Sequence, residues 1–383
     1  YNAQLFLSTA DGTQVKLINE GDSNTFPGDF PPDARYHFRS NARSADSTAT
    51  WIYDPATGTA KIAIEMKGIG GIDDVLGNRA VVNRLVTRGD NNLWLEDLTT
   101  GRSMLLTPHR GTAQSGGVFG KDANTIYLVH NLDRDRMSLA RIDIAADGKT
   151  YARTELAARD DAELDDFVLN DAKTQALLSW NVAGRNELEL MDLATGDRQA
   201  LPAAPSELVS GADFSPDGKR VLLANSGSTA PSDLWQLDLA TKEYTRLTFS
   251  PAEGVDLAAL VKPELRTFEA HDGLELSGWL YLPQDFTQPG PVVLSFHGGP
   301  EGQEVPSFRA DYQALLASGI AVFAPNIRGS SGFGKAFMSL DNHALRFDAN
   351  KDIKAAANFL VQERIGAKGR LGIMGGSYGG YVV

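Results

Sequence analysis

Residues 371–383 read LGIMGGSYGGYVV, and an apolar stretch at 371–374 runs directly into a Gly-x-Ser-x-Gly motif at 375–379. The apolar stretch predicts a short strand, and residues 380–383 can start a helix. This motif on a strand-to-helix turn is typical of a nucleophile elbow, in which a strained backbone lifts the serine hydroxyl above a sheet. In a chain with 38 glycines the motif alone is weak evidence, but its context favours Ser377 as a nucleophile.

Upstream of the motif, predicted strands alternate with predicted helices. The strands are expected at 292–296, 320–324 and 371–374, and the helices at 308–317 and 348–363. This alternation indicates a mostly parallel sheet with helices on both faces. We therefore predict an α/β-hydrolase catalytic domain over residues 263–383, because a nucleophile elbow belongs to that fold.

A glycine-rich loop, HGGP at 297–300, follows the first of these strands. Acyl transfer places negative charge on a carbonyl oxygen, and a preorganised N–H donor near that oxygen is worth about 3 to 4 kcal/mol. We expect the backbone N–H groups of Tyr378 and Gly299 to be these donors, so the predicted catalytic residues are Ser377, Tyr378 and Gly299. The general base of this fold follows the serine in the chain, so His297 is expected to brace the loop by hydrogen bonding. The alternative is a tight glycine-rich turn without catalysis.

The first two thirds of the chain contain a loose repeat of six similar segments. From the second copy onward each segment ends in an aspartate, which is usually followed by a turn sequence rich in small residues. These residues are Asp54, Asp97, Asp143, Asp192 and Asp238, which lie 43 to 49 residues apart. A repeat of about 40 to 50 residues that contains four antiparallel strands is typical of a β-propeller blade.

We therefore predict a β-propeller domain of four-stranded blades over residues 1–262. Seven blades are expected, because Tyr1 begins inside what is predicted to be a strand at 1–8. Six blades, or an ordinary β-sandwich with accidental spacing, are the alternatives. Since Tyr1 is not an initiator Met and Val383 falls inside a predicted helix, we expect residues to be missing at each end, including any signal peptide.

The composition argues against several classes of function. The chain has 36 Lys and Arg against 49 Asp and Glu, and its formal net charge of −13 repels nucleic acid and anionic lipid. No apolar run approaches the roughly 20 residues of a membrane helix, so no membrane partner is expected. The chain has no Cys, which removes disulfides and Cys-ligated zinc. We expect a cytoplasmic location, with the periplasm as the alternative.

We expect no cofactor and no metal site. The histidines other than His297 are scattered without the spacing of metal ligands. They are His37, His109, His130, His271 and His343.

Two further features each have a functional and a structural interpretation. Arg328 lies in a loop rich in Gly and Ser, where it could hold a substrate carboxylate or carbonyl; we favour an anchor between the loop and nearby carboxylates. The acidic stretch at 159–166 could bind a peptide N-terminus or a metal. We favour a solvated loop at a blade edge, because charge runs usually mark exposed faces.

Three motifs together resemble the prolyl oligopeptidase family of serine peptidases, especially its acylaminoacyl-peptidase and dipeptidyl-peptidase branches. They are HGGPEGQ at 297–303, NIRGSSGFG at 326–334 and GGSYGGY at 375–381. The resemblance implies a Ser-Asp-His peptidase whose propeller admits only short peptides. It also implies that Ser377 is the nucleophile and that Tyr378 and Gly299 donate to the oxyanion.

The same resemblance implies that the catalytic acid and histidine follow the serine. Only six residues follow Ser377, so neither can be named, and the fragment alone is expected to be inactive. The hydrolase domain is expected to be incomplete, with its remaining part as a partner that can be a separate chain. Short peptides are the expected substrates, and a homo-oligomer is a further expectation.

Two alternatives remain open from the sequence. One is an esterase-type hydrolase of small acyl compounds, because this fold hosts many chemistries. The other is a propeller binding protein whose hydrolase domain has lost catalysis.

Overall fold

The computed structural model describes residues 2–9, 11–13, 15–18, 21–28 and 36–383. The chain divides into two compact units. One consists of Tyr1–Arg134 and Ser138–Ala158, and the other of Asp135–Met137 and Arg159–Val383. Tyr1, which the sequence predicts to lie in the first strand, is outside the described residues.

The first unit consists of small antiparallel sheets in which consecutive strands pair. β1 (Phe6–Ser8) and β2 (Val15–Leu17) form a two-stranded sheet. The next sheet contains β3 (Thr25–Pro27), β4 (Tyr36–Ser44), β5 (Ser47–Asp54) and β6 (Thr59–Ile64). It is followed by β7 (Gly70–Leu76), β8 (Arg79–Thr87), β9 (Asp90–Asp97) and β10 (Ser103–Leu105). The last contains β11 (Ser115–Phe119), β12 (Thr125–His130), β13 (Ser138–Ile144) and β14 (Tyr151–Ala157).

The second unit begins with two more sheets of the same kind. One contains β15 (Glu163–Leu169), β16 (Gln175–Val182), β17 (Arg185–Asp192) and β18 (Arg198–Ala200). The other contains β19 (Leu208–Phe214), β20 (Arg220–Gly227), β21 (Ala230–Asp238) and β22 (Tyr244–Arg246). Each sheet buries apolar side chains from alternate strand positions, as Val221, Leu223 and Leu237 illustrate.

A five-stranded sheet with helices completes the second unit. Its elements are β23 (Glu264–Glu269), β24 (Glu275–Tyr281), β25 (Gly290–Phe296), α1 (Ala310–Ala317), β26 (Ala321–Asn326), α2 (Lys335–Met338), α3 (Arg346–Gln362), β27 (Gly366–Gly375) and α4 (Tyr378–Val382). The strand order is β23-β24-β26-β25-β27. β25 pairs in parallel with both β26 and β27, while β23 and β24 pair antiparallel. The sheet is therefore mixed, with its parallel part at the end that carries the Gly-x-Ser-x-Gly motif.

The core of this sheet consists of apolar side chains from β25, β26 and α3. β26 is buried along its whole length, which agrees with the apolar sequence of all its residues except the last, Asn326. The rings of Phe268, Phe323 and Phe359 pack within 5.3 to 5.6 Å of one another. This aromatic cluster fixes α3 against the sheet.

The predicted fold class is confirmed: blades of a β-propeller precede an α/β-hydrolase sheet. The described residues contain five four-stranded sheets and one two-stranded sheet. Seven blades in the intact protein stays a prediction. The boundary between residues 262 and 263 also stays a proposal; it falls between β22 and β23, inside the second compact unit.

The aspartates of the repeat start most of the turns that the sequence indicates. The carboxylates of Asp97, Asp192 and Asp238 each accept hydrogen bonds from the backbone N–H groups two and three residues later. In the third four-stranded sheet the turn instead begins at Asp147, and Asp143 pairs with Arg141. The longer hairpin there shifts the turn by four residues.

In the described ranges, no helix combines the length and the apolar composition that crossing a membrane requires.

These turns predict how stability responds to two matched substitutions. Gly196 and Lys242 both end such a turn with positive φ, 80° and 63°. Because a left-handed conformation costs a non-glycine residue about 1 to 2 kcal/mol, Lys242→Gly should stabilise the chain by about 1 kcal/mol. Gly196→Ala should destabilise it by a similar amount through backbone strain alone, since no atom lies within 4 Å of the added Cβ. Chemical unfolding of the three proteins measures both effects.

Lys149→Gly is the control, because Lys149 lies in a comparable turn but does not have positive φ. It should lower the free energy of unfolding. A stabilisation by Lys149→Gly equal to that by Lys242→Gly would contradict the explanation.

Candidate active site

Ser377 lies on a sharp turn between the end of β27 and the start of α4. Its φ of 55° and ψ of −118° are strained for a residue with a side chain, and the residue is exposed. Glycines make the turn sterically feasible. A Cβ at Gly379 would lie 2.1 Å from the carbonyl oxygen of Phe296, and one at Gly375 would lie 2.5 Å from Gly379. The geometry agrees with that expected of a nucleophile elbow.

The glycine-rich loop at 297–300 lies beside this turn because the two preceding strands are neighbours. β25 and β27 pair in parallel, with Phe296 opposite Gly375, so their carboxyl ends meet at one edge of the sheet. A Cβ built on Gly298 would lie 3.2 Å from the Cβ and 3.7 Å from the Oγ of Ser377. The sequence motif did not single out Gly298, and only the structure shows that it makes this contact.

The two predicted donors lie on the two segments that meet here. Tyr378 is the first residue of α4, where a backbone N–H has no acceptor within its own helix. Gly299 follows Gly298 in the loop and has a φ of 135°, a conformation that favours glycine. The arrangement can present N–H groups to a carbonyl under attack by Ser377, although the roles of the predicted site residues stay proposals.

His297 is held by the loops on both sides of its ring. Its Nδ1 lies 2.8 Å from the carbonyl oxygen of Gly298, and its Nε2 lies 2.9 Å from the Oγ of Ser330. Burial lowers the pKa of His297, and the hydrogen bond to Gly298 opposes this in part. Nδ1–H donates to the Gly298 carbonyl oxygen, which can only accept, while the Ser330 hydroxyl beside Nε2 donates to the Ile327 carbonyl oxygen at 2.6 Å. His297 therefore braces the loop, as the sequence analysis expects.

A second loop, residues 326–334, packs along the glycine-rich loop. The backbone N–H of Ser331 donates to the carbonyl oxygen of Gly302 at 2.8 Å. The Asn326 side chain accepts from the Glu304 N–H at 2.7 Å and donates to the Glu304 carbonyl oxygen at 3.0 Å. These bonds satisfy buried polar groups and fix the course of both loops.

Arg328 anchors this second loop and is 5% exposed. Its guanidinium donates two hydrogen bonds to Asp352, at 2.8 and 2.9 Å, and two to Asp272, at 2.9 and 2.8 Å. The hydrogen bonds from Arg328 hold the pKa of Asp272 well below its usual value. The structure therefore supports the anchoring interpretation of Arg328 rather than contact with substrate.

A blade hairpin also contacts the site. Asn181, near the turn between β16 and β17, is buried and donates to Gln303 Oε1 at 2.7 Å. At Gly184 in the same turn, an added Cβ would lie 3.4 Å from the carbonyl oxygen of Glu304. Sequence reasoning missed this contact, because no motif marks a blade asparagine as the partner of a loop 122 residues later.

The acidic stretch at 159–166 is solvated as expected at Asp160, Asp161, Asp165 and Asp166, which are exposed, but it is a loop only as far as residue 162. Its second half begins β15, and Glu163 is 9% exposed. Burial raises the pKa of Glu163, while hydrogen bonds from the N–H groups of Met137 and Gly334 lower it. Arg159 pairs with Asp161 at 2.8 Å and with Glu187 at 2.7 Å. Among the five acidic residues of this stretch only Glu163 is therefore buried, and its hydrogen bonds offset part of the cost of that burial.

In the part of the chain that the structure describes, no three side chains of the His, Cys, Asp or Glu type are placed to hold a metal ion.

Comparison with known proteins agrees with this geometry. Residues 306–383 match the model of the prolyl oligopeptidase family. The chain is 27% identical over 308 residues to dipeptidyl aminopeptidase BIII of Pseudoxanthomonas mexicana. The aligned region covers 78% of this chain and 43% of that protein. It is 31% identical over 129 residues to the acylamino-acid-releasing enzyme of Sus scrofa, covering 33% of this chain and 18% of that enzyme.

Solved structures show the same fold. A puromycin hydrolase superposes over 100% of this chain with a TM-score of 0.85 at 19% identity, and 63% of that chain is covered. A prolyl endopeptidase superposes over 100% of this chain with a TM-score of 0.83 at 17% identity, and 58% of that chain is covered. The chain spans less than half the length of the two curated relatives.

The lowered pKa of His297 predicts a pH dependence of stability. As pH falls below the ordinary histidine pKa of about 6.5, the unfolded chain binds a proton that the folded ring resists, so folding loses stability. We expect the free energy of unfolding to fall less steeply over this range in His297→Gln than in the parent chain. Denaturant unfolding from pH 8 to pH 5 measures the slopes.

The exposed His343 provides the control, because His343→Gln removes a histidine from the same domain. That variant measures how much of any change in slope comes from removing a histidine as such. Identical slopes for the parent and His297→Gln would show that His297 titrates as it does in the unfolded chain.

Proposed function

Because this chain belongs to the prolyl oligopeptidase family, we propose that it forms part of a serine peptidase that hydrolyses short peptides through an acyl-enzyme at Ser377. The observation that carries the proposal is the strained, exposed Ser377 beside Gly298. A left-handed non-glycine residue is costly, and such strain is concentrated at functional sites. A simple glycine-rich turn has no need of it.

In the proposed reaction, Ser377 Oγ attacks the scissile carbonyl carbon. Negative charge then develops on the carbonyl oxygen, where the N–H groups of Tyr378 and Gly299 donate hydrogen bonds. Collapse of the tetrahedral intermediate expels the amine and leaves the acyl-enzyme, which water hydrolyses.

The serine proton must pass to a base during the attack. His297 does not suit this role, because both of its ring nitrogens are engaged by Gly298 and Ser330. We propose that the acid and base are the Asp and His that follow the serine in this family. His297 has the structural role of holding the glycine-rich loop at 297–300.

The substrate class is proposed from the relatives. Their names describe the release of dipeptides and of acylated amino acids, so a peptidase of the dipeptidyl or acylaminoacyl type is proposed for this chain. A propeller that precedes the hydrolase sheet in the chain supports a preference for short peptides, because a propeller can restrict the access of long chains.

We also propose that a further part of the hydrolase domain, in the same polypeptide or in another chain, pairs with β27. Within the described residues β27 has a strand neighbour on one side only, and Ile373 on this strand is 38% exposed. An open apolar edge is a template for pairing with another strand.

Covalent labelling tests the nucleophile directly. In the full-length protein, a fluorophosphonate should modify Ser377, and Ser377→Ala should abolish both labelling and peptide hydrolysis, because the variant has no hydroxyl to attack. Ser318→Ala is the matched control, since Ser318 lies exposed after α1 and should leave both activities unchanged. Mass spectrometry locates the adduct.

Comparison of acyl-ester and peptide-amide turnover then separates the alternatives. Turnover of esters alone would favour an esterase-type hydrolase. A folded protein that neither labels nor cleaves would favour a propeller binding protein without catalysis.

A further inference from the structure

A buried carboxylate outside the predicted site contacts the residue next to the nucleophile. Asp341 ends a short 3-10 turn after α2 and is 1% exposed. Its Oδ2 accepts a hydrogen bond from the phenol of Tyr378 at 3.3 Å. Arg346 Nη2 lies 3.7 Å from the same oxygen, and the Arg346 guanidinium lies 5.2 Å from the centre of the Tyr378 ring.

This carboxylate is costly to bury, so its contacts require an explanation. Asp341 Oδ1 has no hydrogen-bond partner among the described residues, and Arg346 is only a distant ion-pair partner. Burying a carboxylate with few partners is energetically unfavourable. A packing role alone would be filled better by an apolar side chain of similar size. The contact that distinguishes Asp341 is the one with Tyr378.

Asp341 also contacts the loop at 326–334, which packs along the glycine-rich loop at 297–300. A Cβ at Gly329 would lie 2.5 Å from Asp341 Cγ, so the carboxylate packs directly on the Gly329 backbone. The next residue, Ser330, bonds His297. The Asp341 side chain therefore contacts both the turn that carries Ser377, through Tyr378, and the loop at 326–334, through Gly329.

We propose that Asp341 is a positioning residue for the reaction. It fixes the Tyr378 side chain and thereby the backbone N–H of Tyr378, which faces the reacting carbonyl. The inference rests on the proposed function of Ser377. Asp341 does not touch the reacting atoms. It acts by holding the Tyr378 side chain through the phenol hydrogen bond, so that the first turn of α4 keeps one orientation relative to the loop at 297–300.

The charges around Tyr378 are consistent with this arrangement. Burial, together with the charge of Asp341, raises the pKa of Tyr378 to about 12, while Arg346 opposes the rise. The phenol therefore stays protonated and remains a hydrogen-bond donor at neutral pH. Burial raises the pKa of Asp341, and the charge of Glu301 adds to this rise. Arg346 and the hydrogen bond from Tyr378 lower the pKa of Asp341.

The test compares single and double variants of the full-length protein. Asp341→Ala should lower the rate constant of fluorophosphonate labelling at Ser377, and kcat for a peptide, by about 10- to 100-fold, with little change in KM. This is the range expected when a hydrogen bond to a charged acceptor is lost. Tyr378→Phe should show a similar loss. The double variant should be no slower than the slower single variant, because both remove the same bond.

Two further variants separate positioning from general destabilisation. Asp341→Asn keeps the size of the side chain and a carbonyl acceptor, so it should recover most of the activity. Asp143→Asn removes another carboxylate paired with an arginine, in the first compact unit, and should leave the rates unchanged.

The phenol of Tyr378 gives a readout that is independent of activity. In a protein labelled with ¹³C-tyrosine, the NMR titration of Tyr378 should shift to lower pH in Asp341→Asn, because a negative charge next to the phenol is removed. An unchanged titration would show that the contact does not exist and would overturn the inference.

The possible failures are distinguishable. If the parent protein does not label at Ser377, the proposed function fails. If the parent labels but Tyr378→Phe reacts at the parent rate, or if the effects of Asp341→Ala and Tyr378→Phe multiply in the double variant, the positioning role is wrong. Tyr378→Phe and Asp341→Asn preserve side-chain volume, so the rate of the first and the Tyr378 titration of the second decide the question even if Asp341→Ala does not fold.

Discussion

The parallel pairing of β25 with β27 is the constraint on which the site depends. It places Phe296 opposite Gly375, so that the two loops that leave the sheet begin side by side. α4 then passes so close to the end of β25 that a Cβ at Gly379 would lie 2.1 Å from the Phe296 carbonyl oxygen. Only glycine permits this approach, and the approach puts Ser377 against Gly298.

Polar contacts hold the glycine-rich loop at 297–300 in place beside the turn at Ser377. His297 links the glycine-rich loop to Ser330, and Arg328 ties the neighbouring loop to two aspartates. Asn181 of a blade hairpin bonds Gln303 in the same compact unit. Preorganised donors are effective because they need no rearrangement while charge develops, so these braces are part of the proposed catalytic apparatus.

Local patterns in the sequence predicted much of this arrangement. The elbow, the glycine-rich loop and the blade repeat are short motifs in which turn chemistry and strand periodicity are visible within a few residues. The site contacts of Asn181 and Asp341 could not be predicted, because each joins segments that only the folded topology brings together. The burial of Glu163 in the acidic stretch at 159–166 was missed for the same reason: its partners come from distant segments, including Gly334.

The antiparallel strands β23 and β24 show a similar limit. β24 pairs with both β23 and β26, and which strand each pairs with depends on the whole sheet. In the blades, the turn at Asp147 instead of Asp143 shows that a repeat fixes the architecture more firmly than the exact position of each turn.

A crystal structure of the full-length protein after reaction with a fluorophosphonate tests the central claim most directly. The account predicts phosphorus bonded to Ser377 Oγ and a phosphoryl oxygen about 3 Å from the backbone nitrogens of Tyr378 and Gly299. An adduct on another residue, or a phosphoryl oxygen directed away from both nitrogens, would contradict it.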